Sequence, residues 1–156
     1  MKRVILSAAL CLASVVHAQQ VQWLCNTSPS TQAAIKAAAA DSEQFHLAEL
    51  PRKQSRYRID LVDLQQAYQG QPVFVGRKWL LVVMLPASHP DTRAAFAELG
   101  INPEAAERMA SDTGLVDRGI RLVQTQQQML DKVAQNKLTV GYTTFFLGGR
   151  DVAPCF

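Results

Sequence analysis

Residues 79–99 read WLLVVMLPASHPDTRAAFAEL and carry the strongest structural signal in the chain. The continuous apolar run at residues 80–85 is too short to cross a membrane but fits a strand buried on both faces. Pro86 ends that strand, a polar loop follows over residues 87–92, and residues 93–99 predict a helix. A buried strand that leads through a hydroxyl-bearing loop to a helix N-terminus commonly forms ligand sites in α/β proteins, particularly for anions.

The first 18 residues have the features of a cleavable export signal. A positive start at Lys2 and Arg3 precedes a short apolar run and a small-residue cleavage site at Ala18. Removal of those two charges takes Lys+Arg from 16 to 14 against 13 Asp+Glu, so the mature chain is close to neutral. We therefore expect a periplasmic or secreted protein that does not span a membrane and has no nucleic-acid partner.

Two of the three cysteines, Cys25 and Cys155, remain after signal cleavage and lie near the two ends of the mature chain. An even pair in an exported protein predicts a disulfide, which would close almost the whole domain. In the chain-entropy description such a loop stabilises the fold by roughly 4–5 kcal/mol. The alternative is two separate thiols.

The remaining residues, 19–156, are expected to form a single three-layer α/β/α domain with a mostly parallel sheet. Strands are predicted at 21–24, 80–85, 120–123 and 140–147, and a short extended run at 73–75 leads into the central strand through a turn. Helices are predicted at 32–41, between the cap residue Asp60 and Gly70, at 93–99, after the Asn102-Pro103 start signal and after Thr125, which begins a capping box. A basic cluster at residues 52–58 fits a polyanion contact or a solvated loop.

Three segments together resemble the phosphate-type periplasmic solute-binding proteins and their short, single-lobe relatives. These are the helix 60–70 that ends in Tyr68-Gln69-Gly70, the loop and helix at Thr92–Ile101, and residues 125–142 with the Val140-Gly141-Tyr142 segment. The resemblance covers about residues 60–144 and implies one lobe of a type II periplasmic-binding-protein-like fold. Asp91 and Lys137-Leu138 depart from the family, which tends to have a glycine and a proline there.

The candidate ligand-binding residues are Ser88, Thr92, Arg93 and Thr144. Hydroxyls and N–H groups at a helix start can donate hydrogen bonds to an oxyanion, and an arginine can add a bidentate contact. Asp91 could repel a dianion or accept a proton from a monohydrogen anion. The alternative is that Asp91 or Thr92 only caps the helix, that Arg93 points to solvent, and that Thr143 and Thr144 are ordinary strand residues.

No catalytic motif is recognisable in the chain, so we expect a protein that is not an enzyme. The nucleophile-elbow, P-loop and dinucleotide-binding patterns are absent from the sequence. His46 and His89 have no metal-ligand spacing with the cysteines, and we expect no metal or other cofactor.

Two functions therefore follow from the sequence. The preferred one is non-catalytic binding of a small ligand, expected to be an anion, by the loop from Ser88 to Arg93. The second is an envelope protein-interaction module, such as an adaptor, assembly factor or inhibitor, that has the same fold without the ligand.

Overall fold

The structure is a computed structural model that describes residues 20–28, 33, 59–75, 78–112, 119–136, 138–145 and 151–156. The predicted export signal, the basic cluster at residues 52–58 and all but Ala33 of the predicted helix at 32–41 lie outside these residues. Among the described residues no helix is both long and apolar enough to cross a bilayer.

The described residues form seven strands and four helices. The strands are β1 (Gln22–Asn26), β2 (Phe74–Val75), β3 (Lys78–Trp79), β4 (Leu81–Met84), β5 (Ile120–Leu122), β6 (Thr139–Thr143) and β7 (Val152–Pro154). The helices are α1 (Leu61–Tyr68), α2 (Pro90–Leu99), α3 (Pro103–Ser111) and α4 (Gln126–Gln135). The fold is therefore mixed α/β, as the sequence predicts.

Five strands form one mostly parallel sheet in the order β5-β4-β6-β1-β7. β4 pairs in parallel with β5 and β6, whereas β1 runs antiparallel to both β6 and β7. Four of the five strands consequently point the same way. β2 and β3 form a separate antiparallel pair, here called the β2–β3 hairpin, which precedes the central strand.

Both faces of the sheet carry helices. Successive residues of a strand point to opposite faces, so neighbouring residues of β6 contact different helices. Tyr142 of β6 faces α1 and α2, where it packs with Tyr68 and Phe96. The preceding residue, Gly141, faces α4, and a Cβ at this position would lie 2.8 Å from the Met129 Cγ and 3.1 Å from a Val133 methyl carbon. Glycine at 141 thus permits α4 to pack directly on β6.

The central strand is buried as its sequence predicts, with Val82, Val83 and Met84 almost fully shielded from solvent. Its polar backbone groups alternate between neighbours: the Val82 N–H donates to the Gly119 carbonyl on the β5 side, and the Leu81 N–H donates to the Leu138 carbonyl before β6. The pairing recorded between β4 and β6 extends only to Val82↔Val140.

Beyond that pairing, two tyrosine hydroxyls form hydrogen bonds with backbone groups near the end of β4 and just after it. The Tyr68 hydroxyl donates to the Val83 carbonyl at 2.8 Å, and the Leu85 N–H donates to the Tyr142 hydroxyl at 3.0 Å. The rings of Tyr68 and Tyr142 form one buried cluster with Trp23 and Phe96, with centroid separations between 4.9 and 6.2 Å. Buried polar groups are costly when unpaired, so both hydroxyls tie α1 and β6 to the central strand.

A disulfide joins Cys25 to Cys155, with a Cα–Cα distance of 5.1 Å, which confirms the predicted pairing. It connects β1 to the residue after β7. The short strand β7 was not predicted, and the last long strand ends at Thr143 rather than near residue 147. A three-residue strand at a sheet edge depends on its partner and carries little periodic signal of its own.

We predict that the folded protein loses stability at alkaline pH because of Tyr68 and Tyr142. Burial raises the pKa of both phenols above the ordinary value of 10.0, and the Tyr68–Tyr142 interaction adds to the effect at Tyr68. Above pH 10 the unfolded chain releases protons that the folded chain retains, so the free energy of unfolding decreases by about 1.4 kcal/mol per pH unit for each tyrosine. Urea unfolding between pH 8 and 11 measures this slope, and the Tyr142→Phe variant should show a shallower one. An equal slope in that variant would contradict the assignment.

Candidate functional site

The polar cluster of interest lies where the carboxyl ends of β4 and β6 meet the N-termini of α2 and α4. In parallel α/β sheets this edge is where ligands usually bind. Of the predicted site residues, Thr144 contacts the Asp91 carboxylate, Thr92 bonds to Tyr142 and Leu85 instead, and Ser88 and Arg93 are exposed beside the cluster. The structure thus buries Thr92 next to Asp91 in the chain but in a separate hydrogen-bonded ring.

The helix α2 begins earlier than the sequence analysis placed it. Pro90 is its first residue and His89 is its N-cap, whose Nδ1 accepts a hydrogen bond from the Asp91 N–H at 3.2 Å. Proline is favoured at the first helical position because it has no N–H to satisfy. Asp91 and Thr92 therefore lie in the first turn of α2 and not in a loop, and neither is the cap.

Asp91 is only 6% exposed, and its carboxylate accepts hydrogen bonds from two strand-end threonines and a helix residue. The Thr144 hydroxyl donates to Oδ1 at 2.5 Å. Gln126 Nε2 and the Thr143 hydroxyl both contact Oδ2. The negative charge is favourable at this position because the partial positive charge of the α2 N-terminus faces it.

Thr92 is completely buried, and its hydroxyl belongs to a closed ring of hydrogen bonds. The Leu85 N–H donates to the Tyr142 hydroxyl, that hydroxyl lies 2.8 Å from Thr92 Oγ1, and Thr92 Oγ1 donates to the Leu85 carbonyl at 3.3 Å. If Tyr142 donates to Thr92, each hydroxyl donates once and accepts once. The ring fixes the first turn of α2 against the end of β4.

Internal acceptors also take several of the backbone N–H groups that an external anion would need. The Ala87 N–H donates to Glu107 Oε2, the His89 N–H to the Pro86 carbonyl, and the Arg93 N–H to the His89 carbonyl. Pro90 has no N–H, and that of Asp91 is bonded to His89. The chain's own carboxylate consequently occupies the electrostatic position that the sequence analysis assigned to a bound anion.

Gln126 is the member of the cluster that the sequence analysis did not single out. It is the first residue of α4, one position after the N-cap Thr125, whose hydroxyl accepts from the Gln128 N–H. Only the crossover from β5 through α4 to β6 brings it to Asp91, so no local pattern could have identified it. Its amide contacts both the Asp91 carboxylate and the Thr143 hydroxyl.

The described residues contain no group of three or more His, Cys, Asp or Glu side chains placed to hold a metal ion. No protein-family model, curated protein or solved structure matches this chain. The resemblance to solute-binding proteins therefore stays a prediction from the sequence.

The Asp91→Asn substitution should destabilise the fold by about 1–3 kcal/mol. It removes the charge that accepts the hydrogen bonds and places an amide donor among donors, and hydrogen bonds to charged groups contribute in this range. Urea unfolding near pH 7 measures the change. The matched control is Glu104→Gln, an exposed carboxylate in the first turn of α3, which should change stability by less than about 0.5 kcal/mol. Equal effects of the two substitutions would show that Asp91 contributes only through the helix dipole.

Proposed function

We propose that this chain is an exported, non-catalytic protein-interaction module built on one lobe of a type II periplasmic-binding-protein-like fold. Export is supported by the N-terminal sequence pattern and by the Cys25–Cys155 disulfide, since disulfides persist in oxidising compartments. The lobe is supported by the mixed sheet with helices on both faces and by the motif order of residues 60–144.

The observation that carries this proposal is the internal carboxylate. Asp91 accepts hydrogen bonds from Thr143, Thr144 and Gln126, so the groups that would recognise a small anion are already engaged within the protein. A solute-binding site would need these donors to face an open crevice. The fold therefore serves better as a scaffold for a protein contact than as an anion receptor.

The surface that we assign to the partner is the aromatic pair Phe74 and Trp79 on the β2–β3 hairpin. Their rings are stacked with centroids 5.9 Å apart, and they are 40% and 37% exposed. Aromatic side chains offer a large contact area with little rotamer entropy to lose, which is why they are enriched at protein interfaces. The exposed Lys78 on the same hairpin lies next to Trp79 and outside the aromatic pair itself.

A second candidate function is the binding of a small anion by Ser88 and Arg93. The observation that favours it is that both side chains are exposed beside the N-terminus of α2. Such a site would lie outside the buried cluster and would use the exposed arginine side chain rather than Thr92 or Thr144.

Two measurements together separate the two functions. The Trp79→Ser variant tests the partner surface and Arg93→Ala tests anion binding, and each serves as the control for the other. A photo-cross-linking amino acid replaces Lys78 in the exported protein, and a second version carries it at the exposed Lys132 on α4. We expect a discrete protein adduct from position 78 only, reduced at least fivefold by Trp79→Ser and unchanged by Arg93→Ala. In parallel, about 10 mM phosphate, sulfate or acetate should leave the melting temperature unchanged, since an anion bound by the folded chain would raise it.

The opposite pattern would overturn the interaction proposal. It would consist of no adduct at position 78 and a melting temperature that rises in one of these anions and no longer rises in Arg93→Ala. That result would assign the chain to anion binding.

A further inference from the structure

The strand β7 is a short element at the edge of the main sheet. It spans three residues and pairs with β1 at Leu24↔Pro154, Cys25↔Ala153 and Asn26↔Val152. The Thr27 N–H donates to the Asp151 carbonyl at 2.9 Å and extends this ladder at the start of β7. A segment with few buried apolar contacts opens at lower free energy than the core of a sheet.

The side chains of β7 contribute one buried anchor. Val152 is 6% exposed and packs with Leu24 and Val133 in a small cluster apart from the main core. Pro154 and the terminal Phe156 are exposed. The burial of one valine is offset by the conformational entropy that three ordered backbone residues lose.

The Cys25–Cys155 disulfide lies at the point where it prevents β7 from leaving the sheet. Cys155 follows β7 directly, its N–H donates to the Trp23 carbonyl at 2.7 Å, and its sulfur is bonded to the central residue of the β1 segment that β7 covers. While the bond is intact, the Cys155 end of β7 stays within a few ångströms of β1.

We propose that this disulfide is a redox latch, whose reduction releases β7 and exposes the edge of β1 to an incoming strand. The reductant is a dithiol protein or small molecule. Its thiolate attacks one cystine sulfur to form a mixed disulfide, and its second thiol displaces that sulfur. Cys25 and Cys155 become thiols, and the reductant is oxidised to its disulfide in a two-electron exchange.

The rest of the sheet remains in place after this release because β1 keeps its partner on the other side. β1 pairs with β6 at four register positions, from Gln22↔Thr143 to Cys25↔Val140. Trp23 is held in the aromatic cluster, and the Asn26 amide donates to the Val133 and Ala134 carbonyls at the end of α4, both at 2.8 Å. The newly exposed edge would therefore be a preformed strand, which is the template required for strand addition.

Hydrogen exchange by mass spectrometry on the folded full-length protein tests this proposal. Reduction with dithiothreitol after folding avoids any dependence on folding without the disulfide. We expect at least tenfold faster exchange in peptides that cover residues 151–156, and less than a twofold change in peptides that cover 81–84 and 139–143. Unchanged exchange at 151–156, or equal acceleration throughout the chain, would overturn the latch.

A second measurement tests the exposed edge itself. The probe is a synthetic peptide of residues 151–156 with Cys155→Ser, labelled with a fluorophore. It should bind the reduced protein and not the oxidised protein, and a shuffled peptide of the same composition should bind neither. Absence of binding to the reduced protein would overturn the claim that β1 becomes available for strand addition. Both measurements are independent of the partner surface at Phe74 and Trp79, so their failure would leave the proposed function in place.

Discussion

The carboxylate of Asp91 satisfies a requirement that this fold creates at one end of its sheet, namely a negatively charged hydrogen-bond acceptor. Two helices begin there, and two parallel strands end there, so hydrogen-bond donors converge and the helix dipoles favour a negative charge. Proteins of this architecture often meet that requirement with a bound ligand. In this chain a side chain from the first turn of α2 meets it, and Thr143, Thr144 and Gln126 all point their polar groups toward that one carboxylate.

The ring formed by Leu85, Tyr142 and Thr92 makes the same junction rigid from the other side. It joins the end of β4, the middle of the aromatic cluster and the first turn of α2. Because Asp91 and Thr92 are adjacent in α2, the ring also holds the backbone from which the Asp91 carboxylate extends.

The parts of the fold that local sequence determines were predicted well. The apolar run before Pro86 forms the central strand, and Asp60, Asn102 and Thr125 each cap the helix that follows. The start of α2 was misplaced because the polar character of residues 87–92 outweighed the proline signal at position 90. The strand β7 and the contact between Gln126 and Asp91 were not predicted because both depend on non-local contacts. β7 depends on β1 and on the disulfide, and Gln126 reaches Asp91 only through the crossover from β5 to β6.

The same distinction applies to the candidate site. Residue type and spacing indicate Thr92 and Thr144 as candidates, and both make side-chain hydrogen bonds at this end of the sheet, Thr144 to Asp91 and Thr92 to Tyr142. Their partners could not be read from spacing, because the sequence does not state whether a hydroxyl at a helix start faces solvent or a neighbouring side chain. The position of Asp91 within the first buried turn of α2 therefore shifts the preferred function from anion binding to a protein contact.

A double-mutant cycle between Asp91 and Thr144 tests the internal-carboxylate account most directly. The free energies of unfolding of Asp91→Ala, Thr144→Val and the double variant are compared with that of the wild type near pH 7. A hydrogen bond to the carboxylate predicts a coupling free energy of about 1–2 kcal/mol between the two positions. Additive effects, with a coupling free energy near zero, would contradict the claim that Asp91 organises this end of the sheet.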